Sequence, residues 1–352
     1  MNDILSMSYE ELRAFAADEL KIPAFRAKQI SEWIIKGADF DEMTNLPVEL
    51  REKLKKEAKL FYPVIERKLV SKIDGTIKYL MRLSDGNCVE CVLMDYEHGT
   101  TICISTQVGC RMGCRFCAST IGGKLRDLEA SEMLGQVISA EKDSGKKIGG
   151  VVMMGIGEPL DNYDNSIKFI KLVSSDKGLN IGQRHISLST SGLADKIRSL
   201  AKEDLQITLS ISLHAYDDEV RSSIMPVNKK WNIDSLLTAC RDYFDETGRR
   251  ISFEYTLISG KNDSKEGALK LSALLKKYFG KRPLHINLIP VNEVTETGFK
   301  RSDKTAVNAF AETLCKNGVN ATVRRRLGSD INAACGQLRR DSINSKQIRG
   351  VL

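Results

Sequence analysis

Cys110-Arg111-Met112-Gly113-Cys114-Arg115-Phe116-Cys117 carries three thiols at CxxxCxxC spacing. Three thiolates on one short loop can hold three corners of a [4Fe–4S] cube, which ordinarily takes four Cys ligands, so one iron is left open to an exogenous ligand. A structural zinc site is the alternative. Zinc knuckles, however, use paired CxxC spacings that deliver four ligands, and no second pair follows. Phe116 beside the last Cys and the small run Ala118-Ser119-Thr120 point toward the cluster.

Around this loop the chain falls into apolar β-runs separated by helical stretches: residues 101–105, 150–154, 185–190, 206–213, 251–258 and 284–289. Runs that alternate with helices indicate parallel strands joined by right-handed crossovers. Six are too few for an eight-stranded barrel, so the expectation is an α/β fold, a partial (β/α)6 barrel spanning 99–340 whose ligands sit beyond the C-terminal strand ends. Upstream, Leu12, Phe15, Ala16 and Leu20, then Ile30, Trp33 and Ile34, recur at helical spacing, punctuated by Pro23, Gly37 and Pro47. Residues 1–60 therefore read as a small helical accessory domain. Residues 61–98 alternate as strands turned at Asp74-Gly75 and Asp85-Gly86, a β-hairpin linker to the barrel. Residues 341–352 read as a basic tail.

With 352 residues, 42% hydrophobic and 28% charged, the chain can bury a sizeable core. The opening MNDILSMSYEELRAF has no basic stretch leading into an apolar run, so it does not resemble a secretory signal, and no stretch approaches the roughly 18 apolar residues of a membrane span. Nine cysteines in such a chain indicate a reducing, cytoplasmic setting in which thiols serve metal or redox chemistry. Charge is uneven. Residues 1–100 hold 15 basic and 18 acidic groups, whereas 276–349 hold 15 basic and 6 acidic, clustered as Lys276-Lys277, Lys281-Arg282, Lys300-Arg301 and Arg324-Arg325-Arg326. That asymmetry points to a bound polyanion, with a solvated surface as the plain alternative. Ala24 to Gln29 forms a basic helix start that is equally an RNA contact or an ordinary surface helix.

Gly155-Ile156-Gly157-Glu158-Pro159 ends the second run, where glycines admit close approach of backbone to ligand. It lacks the third, helix-opening Gly of a dinucleotide fingerprint. Ser189, Ser212-Leu213-His214 and Asn292 set small hydrogen-bonding groups at later strand ends, and His214 can equally be a satisfied core histidine. Cys335 stands alone among small residues, where a lone Cys is ordinarily an inert buried hydrophobe. Glu90 alone would be a plain strand residue. Cys88, Cys91, Cys240 and Cys315 read as packing residues.

The motifs GCRMGCRFCAST, VVMMGIGEPL, LSTSG, SISLHA, MPVNKK, NLIPVN and DINAACGQL, in that order over nearly the whole chain, resemble the radical S-adenosylmethionine (SAM) RNA adenine-C2 methyltransferases. The resemblance implies a [4Fe–4S] cluster on Cys110, Cys114 and Cys117, and two SAM molecules per turnover. Gly157 and Glu158 would hold the SAM amino group, and Ser189, Ser212, Leu213, His214 and Asn292 its carboxylate, ribose and adenine. It makes Cys335 the carrier of the methyl group as S-methylcysteine, Cys103 its partner in a transient disulfide, and Glu90 the proton acceptor. The implied substrates are an adenosine in the peptidyl-transferase centre of 23S rRNA and the adenosine beside the tRNA anticodon, with a one-electron donor such as flavodoxin or ferredoxin and no membrane partner. Two rivals remain: an enzyme methylating C8 of the same rRNA adenosine, disfavoured by Pro159 after Glu158, and a non-catalytic RNA-binding protein with a structural metal.

Overall fold

The computed structural model describes residues 1–293, 298–333 and 338. The N-terminal stretch is helical, with α1 (Tyr9–Ala14), α2 (Arg26–Ile34) and α3 (Val48–Glu57). At the start of α1, Ser8 accepts the Glu11 N–H while the Glu11 carboxylate accepts the Ser8 N–H, a reciprocal cap that fixes the first turn. A two-stranded parallel pair, β1 (Asn2–Asp3) with β2 (Ala58–Lys59), closes this stretch on itself. Leu12, Phe15, Ile30 and Leu54 are buried in the apolar core that continues through the rest of the chain.

Strands β3 (Val64–Val70), β4 (Ile77–Arg82) and β5 (Cys88–Tyr96) form an antiparallel meander, and β5 pairs with β6 (Gly99–Cys103). The turns expected at Asp74-Gly75 and Asp85-Gly86 thus join three strands, which extend the main sheet. Its β5–β6 register carries the hydrogen-bond ladder straight into the barrel, a fact that composition does not contain. After β6 come a short antiparallel pair, β7 (Gln107–Gly109) and β8 (Lys124–Asp127), and then helix α4 (Ala130–Ser144). Strand–helix alternation follows: β9 (Ile148–Met153), α5 (Tyr163–Ser174), β10 (Ile186–Thr190), α6 (Ala194–Leu200), β11 (Thr208–Ser212), α7 (Asp218–Ile224), α8 (Ile233–Thr247), β12 (Ile251–Leu257), α9 (Lys265–Phe279), β13 (His285–Pro290), α10 (Lys304–Lys316) and β14 (Asn320–Val323).

The ten-stranded sheet runs β14-β13-β12-β11-β10-β9-β6-β5-β4-β3, with parallel pairing from β6 through β14. All six anticipated barrel runs are strands. β14 adds a seventh parallel strand that its short, polar and largely exposed Asn-Ala-Thr-Val sequence did not advertise. The two faces of the sheet differ chemically. Ile186, Leu188, Leu209, Ile211, Phe253 and Leu288 are buried against helices, as crossover helices require. The opposite face carries small polar groups: Ser187 Oγ lies 3.0 Å from Ser210 Oγ, Ser252 Oγ 3.1 Å from His285 Nδ1, and Asn287 donates to the Glu254 carboxylate at 2.8 Å. A polar inner face is poor packing but good ligand-binding surface. Among the described residues no helix is long and apolar enough to cross a membrane.

Candidate active site at the barrel mouth

The three cysteines occupy the loop after β7. Cys110 N–H donates to the Gly123 carbonyl (3.1 Å), Cys117 N–H to the Cys114 carbonyl (3.1 Å), and Arg115 N–H to the Ile224 carbonyl (2.9 Å). Thr120 Oγ1 donates to the carbonyls of both Cys114 and Cys117. Gly113 takes a φ of +72° beside Pro226, a turn that a side chain would strain. Burial first, then neighbouring thiolates and Glu158, pushes the Cys110 thiol up to about 12 and Cys114 well above its ordinary value. A cationic iron–sulfur core removes that penalty, because a thiol coordinated to metal is deprotonated. Among the described residues no group of three or more His, Cys, Asp or Glu side chains could hold a single metal ion. Three thiolates suit a cube, which can leave one iron open, whereas a closed structural zinc site takes four ligands.

The SAM-side candidates gather around the same loop. Gly157 has a φ of +114°, and a Cβ there would lie 2.7 Å from Gln107 N and Thr106 Oγ1, so the backbone is held close against the strand end. Among the described residues Thr106 Oγ1 is buried without a hydrogen-bond partner. The buried Glu158 carboxylate accepts the Ser191 N–H at 2.6 Å and the Leu160 N–H at 3.1 Å; its pKa is raised, chiefly by burial. An anion seated in this way suits a ligand ammonium. His214 adopts a φ of +58°, accepts the Thr256 N–H through Nδ1 (2.9 Å) and meets Phe116 edge-on, 5.1 Å between ring centres. Burial, helped by Arg221, lowers its pKa to about 3, so the ring is neutral and its proton sits on Nε2. His214 is thus satisfied at one nitrogen, as the core-histidine alternative expected, while its ring joins the barrel rim to the cysteine loop. Ser189 and Ser212 lie half-buried on β10 and β11, and Leu213 is fully buried.

A cavity of about 560 Å³ opens at the same end of the sheet. Glu90, Cys103, Asn292, Arg301, Arg324 and Asn332 are among its lining residues, so three residues singled out from sequence meet there. Cys103 is half-buried at the end of β6, and burial pushes its thiol up to about 11 against the opposing pull of Arg324. Glu90 pairs with Lys78 at 3.0 Å, both side chains only 1% exposed. Cys335 lies outside the described residues, as does the basic stretch 341–352. Of the four cysteines read as packing residues, Cys88, Cys91 and Cys240 are buried and Cys315 is exposed.

Two residues that organise the site do not stand out in the sequence. Arg221, fully buried, donates to the carbonyls of Ser191 (2.7 Å), Ser212 (3.2 Å), Leu213 (3.1 Å) and Trp231 (3.2 Å) and to Asn228 Oδ1 (2.9 Å). It therefore ties together the strand ends that carry the SAM candidates. Lys78 is the other, and the signal that could have found it is a Lys inside the buried run Ile77 to Met81.

Comparison with known proteins agrees with this geometry. The Radical SAM superfamily profile matches residues 104–271, and the ribosomal RNA large subunit methyltransferase N-terminal domain matches residues 2–60. A probable dual-specificity RNA methyltransferase RlmN of Clostridium acetobutylicum is 51% identical over 348 residues, covering 99% of this chain and 99% of that protein. The protein of the same name from Clostridium perfringens is 52% identical over 351 residues, covering 99% and 100%. The crystal structure of a radical SAM methyltransferase from Sphaerobacter thermophilus superimposes with a TM-score of 0.90 at 41% identity, covering 96% of this chain and 99% of that one. The cysteine loop, the polar barrel face and near full-length similarity converge: this chain is a SAM-dependent RNA methyltransferase, with a [4Fe–4S] cluster and SAM as cofactors, and belongs to the RlmN family of radical SAM enzymes.

Proposed function

We propose that the enzyme methylates C2 of an adenosine in 23S rRNA and of the adenosine 3′ to the tRNA anticodon, through a methylated Cys335. The observation that carries this reading is the cavity shared by Glu90, Cys103 and Asn332, because Asn332 stands three residues before Cys335.

Carbon 2 of adenine is electron-poor and cannot attack a sulfonium methyl, so the methyl must first pass to a nucleophile of the protein. A thiolate at Cys335 is suited to accept it by displacement. The cluster that Cys110, Cys114 and Cys117 would hold, with SAM, would supply the one-electron chemistry: a hydrogen atom would be taken from the thioether methyl, and the unpaired electron of the resulting adduct would be taken back. Gly157, Glu158, Ser189, Ser212, Leu213, His214 and Asn292 hold the SAM. Once the methyl carbon is bonded to the base, the ring hydrogen leaves as a proton to the Glu90 carboxylate. The carbon–sulfur bond to Cys335 then breaks as the Cys103 thiolate bonds to the Cys335 sulfur: the bonding pair stays with the carbon, which takes up a proton to become the new methyl, and a two-electron thiol reductant reopens the disulfide. The base is reached unstacked, and Arg324, Arg325 and Arg326 with neighbouring cations grip the RNA backbone. A flavodoxin or ferredoxin delivers the electron, in the cytoplasm. Residues 1–60, 61–98, 99–340 and 341–352 serve respectively as accessory domain, linker, catalytic barrel and basic tail.

Methylation at C8 is the second reading; Pro159 after Glu158 favours C2. The test is anaerobic reconstitution with iron and sulfide, then assay of 5′-deoxyadenosine and mass spectrometry of the product nucleoside. Cys335→Ala should abolish methyl transfer while the cluster still assembles, and Cys103→Ala should trap protein–RNA adduct. Full turnover by either variant refutes its assignment, and 8-methyladenosine as the product refutes the regiochemistry.

A further inference from the structure

The polypeptide leading to Cys335 is pinned to the far end of the meander. The Asp330 carboxylate accepts from Ser71 Oγ (2.6 Å) and the Lys72 N–H (2.8 Å), and Gly328 N–H donates to the Asp74 carboxylate (2.9 Å). The Asp74 carboxyl is held down to about 2, its hydrogen bonds from Gly328, Thr76 and Ser71 outweighing the burial that pushes it up. Ile331 and Ala333 N–H both turn back to the Gly328 carbonyl. Lys78 completes the attachment. Its ammonium donates to the Asn332 carbonyl at 3.0 Å and contacts the Glu90 carboxylate at 3.0 Å.

A surface lysine would gain little from either contact. Lys78 is 1% exposed, and a buried ammonium persists only where charge and hydrogen-bond partners are both supplied. One rigid strand therefore presents a cation whose partners include the group assigned to take the proton and the backbone three residues from the group assigned to carry the methyl.

We propose that Lys78 is a positioning residue that fixes the Glu90 carboxylate relative to the base of the Cys335 segment, so that proton removal and release of the RNA follow carbon–carbon bond formation. This rests on the roles assigned above to Glu90 and Cys335. Lys78 acts through Glu90 and the Asn332 carbonyl. Removing it leaves SAM binding and cleavage intact but lets the adduct persist.

The test compares the parent with Lys78→Met, which keeps the volume of the side chain and deletes its contacts to Glu90 and Asn332, and with Asp330→Asn, which loosens residues 328–333 without touching Glu90. The reconstituted enzymes are given SAM, reductant and substrate tRNA. The ratio of methylated adenosine to 5′-deoxyadenosine is measured alongside protein–RNA adduct on denaturing gels. Lys78→Met should lower the ratio at least tenfold with adduct accumulating, and Asp330→Asn should lower it severalfold in the same direction. In the cofactor-free protein, Lys78→Met should speed amide exchange at Ile331 and Ala333 at least tenfold. A merely structural defect would lower 5′-deoxyadenosine and product together and leave the ratio unchanged. A parental ratio in Lys78→Met overturns the proposal, as does unchanged exchange; if Lys78→Met fails to fold, a parental ratio in Asp330→Asn overturns it. A parent that carries no methyl on Cys335, or a fully active Glu90→Gln, overturns the catalytic assignment instead.

Discussion

His214 makes the stability of the barrel depend on pH in a way that can be worked out in advance. Its Nδ1 accepts the Thr256 N–H and its ring is buried, so protonation costs both the hydrogen bond and the desolvation of a charge. The folded pKa of about 3 lies below the ordinary 6.5. A depressed folded value means that the stabilisation is present above the unfolded pKa and is lost as pH falls from 6.5 toward 3. With these two values, protonation of the unfolded chain favours unfolding by about 2 kcal/mol at pH 5 and by less than about 0.1 kcal/mol at pH 7.5. The variant is His214→Asn, because Asn tolerates the left-handed backbone that position 214 adopts. Urea midpoints of the cofactor-free chain are measured at both pH values for parent and variant, and the double difference cancels the fixed cost of the substitution. At an m value of about 3 kcal/mol/M, the parent should lose about 0.7 M more of its midpoint between pH 7.5 and pH 5 than the variant loses. Equal losses would refute a buried, neutral His214, whatever its part in binding SAM.

At Gly157, Ala would force a Cβ to 2.7 Å from Gln107 N and Thr106 Oγ1 at a φ of +114°. The strain should cost about 2–4 kcal/mol of stability and lower 5′-deoxyadenosine formation at least tenfold; parental SAM cleavage by Gly157→Ala argues against a close backbone approach there. Arg221→Met takes a donor from three buried and two part-buried acceptors and should destabilise the fold by about 3–5 kcal/mol, read from denaturant midpoints. A loss under about 1 kcal/mol would mean that the strand ends are held by something else. Reversing the exposed Arg325 and Arg326 to Glu should weaken RNA binding uniformly across sequences and flatten its salt dependence, by roughly one unit of log–log slope for each phosphate no longer neutralised. An unchanged slope would move the RNA path elsewhere.

What the sequence disclosed and what it withheld divide along the range of the interactions involved. The cysteine loop was readable because its three ligands lie within eight residues, and the barrel strands because burial against helices makes each run apolar in a row. β14 was not readable: four residues with one half-buried side chain resemble a loop, and only pairing to β13 makes them a strand. The meander read as a linker for the same reason, since whether β5 pairs with β6 depends on register rather than composition. Arg221 and Lys78 are the extreme cases. Each is a lone cation in an ordinary element, and its meaning comes from carbonyls 30 and 254 residues away in the chain.

The register that was invisible in the sequence also explains why the chemistry collects where it does. Val92 on β5 pairs with Cys103, Cys103 with Val152, and Val152 with Ser187, so one face of the sheet is continuous from the meander into the barrel. Glu90 and Lys78 stand on that face, two residues along from Val92 and directly opposite it. A detached hairpin could not set a carboxylate beside Cys103 with the constancy that a shared hydrogen-bond ladder imposes. Extending the sheet past the first barrel strand thus gives the Glu90 carboxylate a rigid place beside the ends of the barrel strands. The same extension gives the segment before Cys335 the turn, Ser71 to Thr76, on which it is fastened.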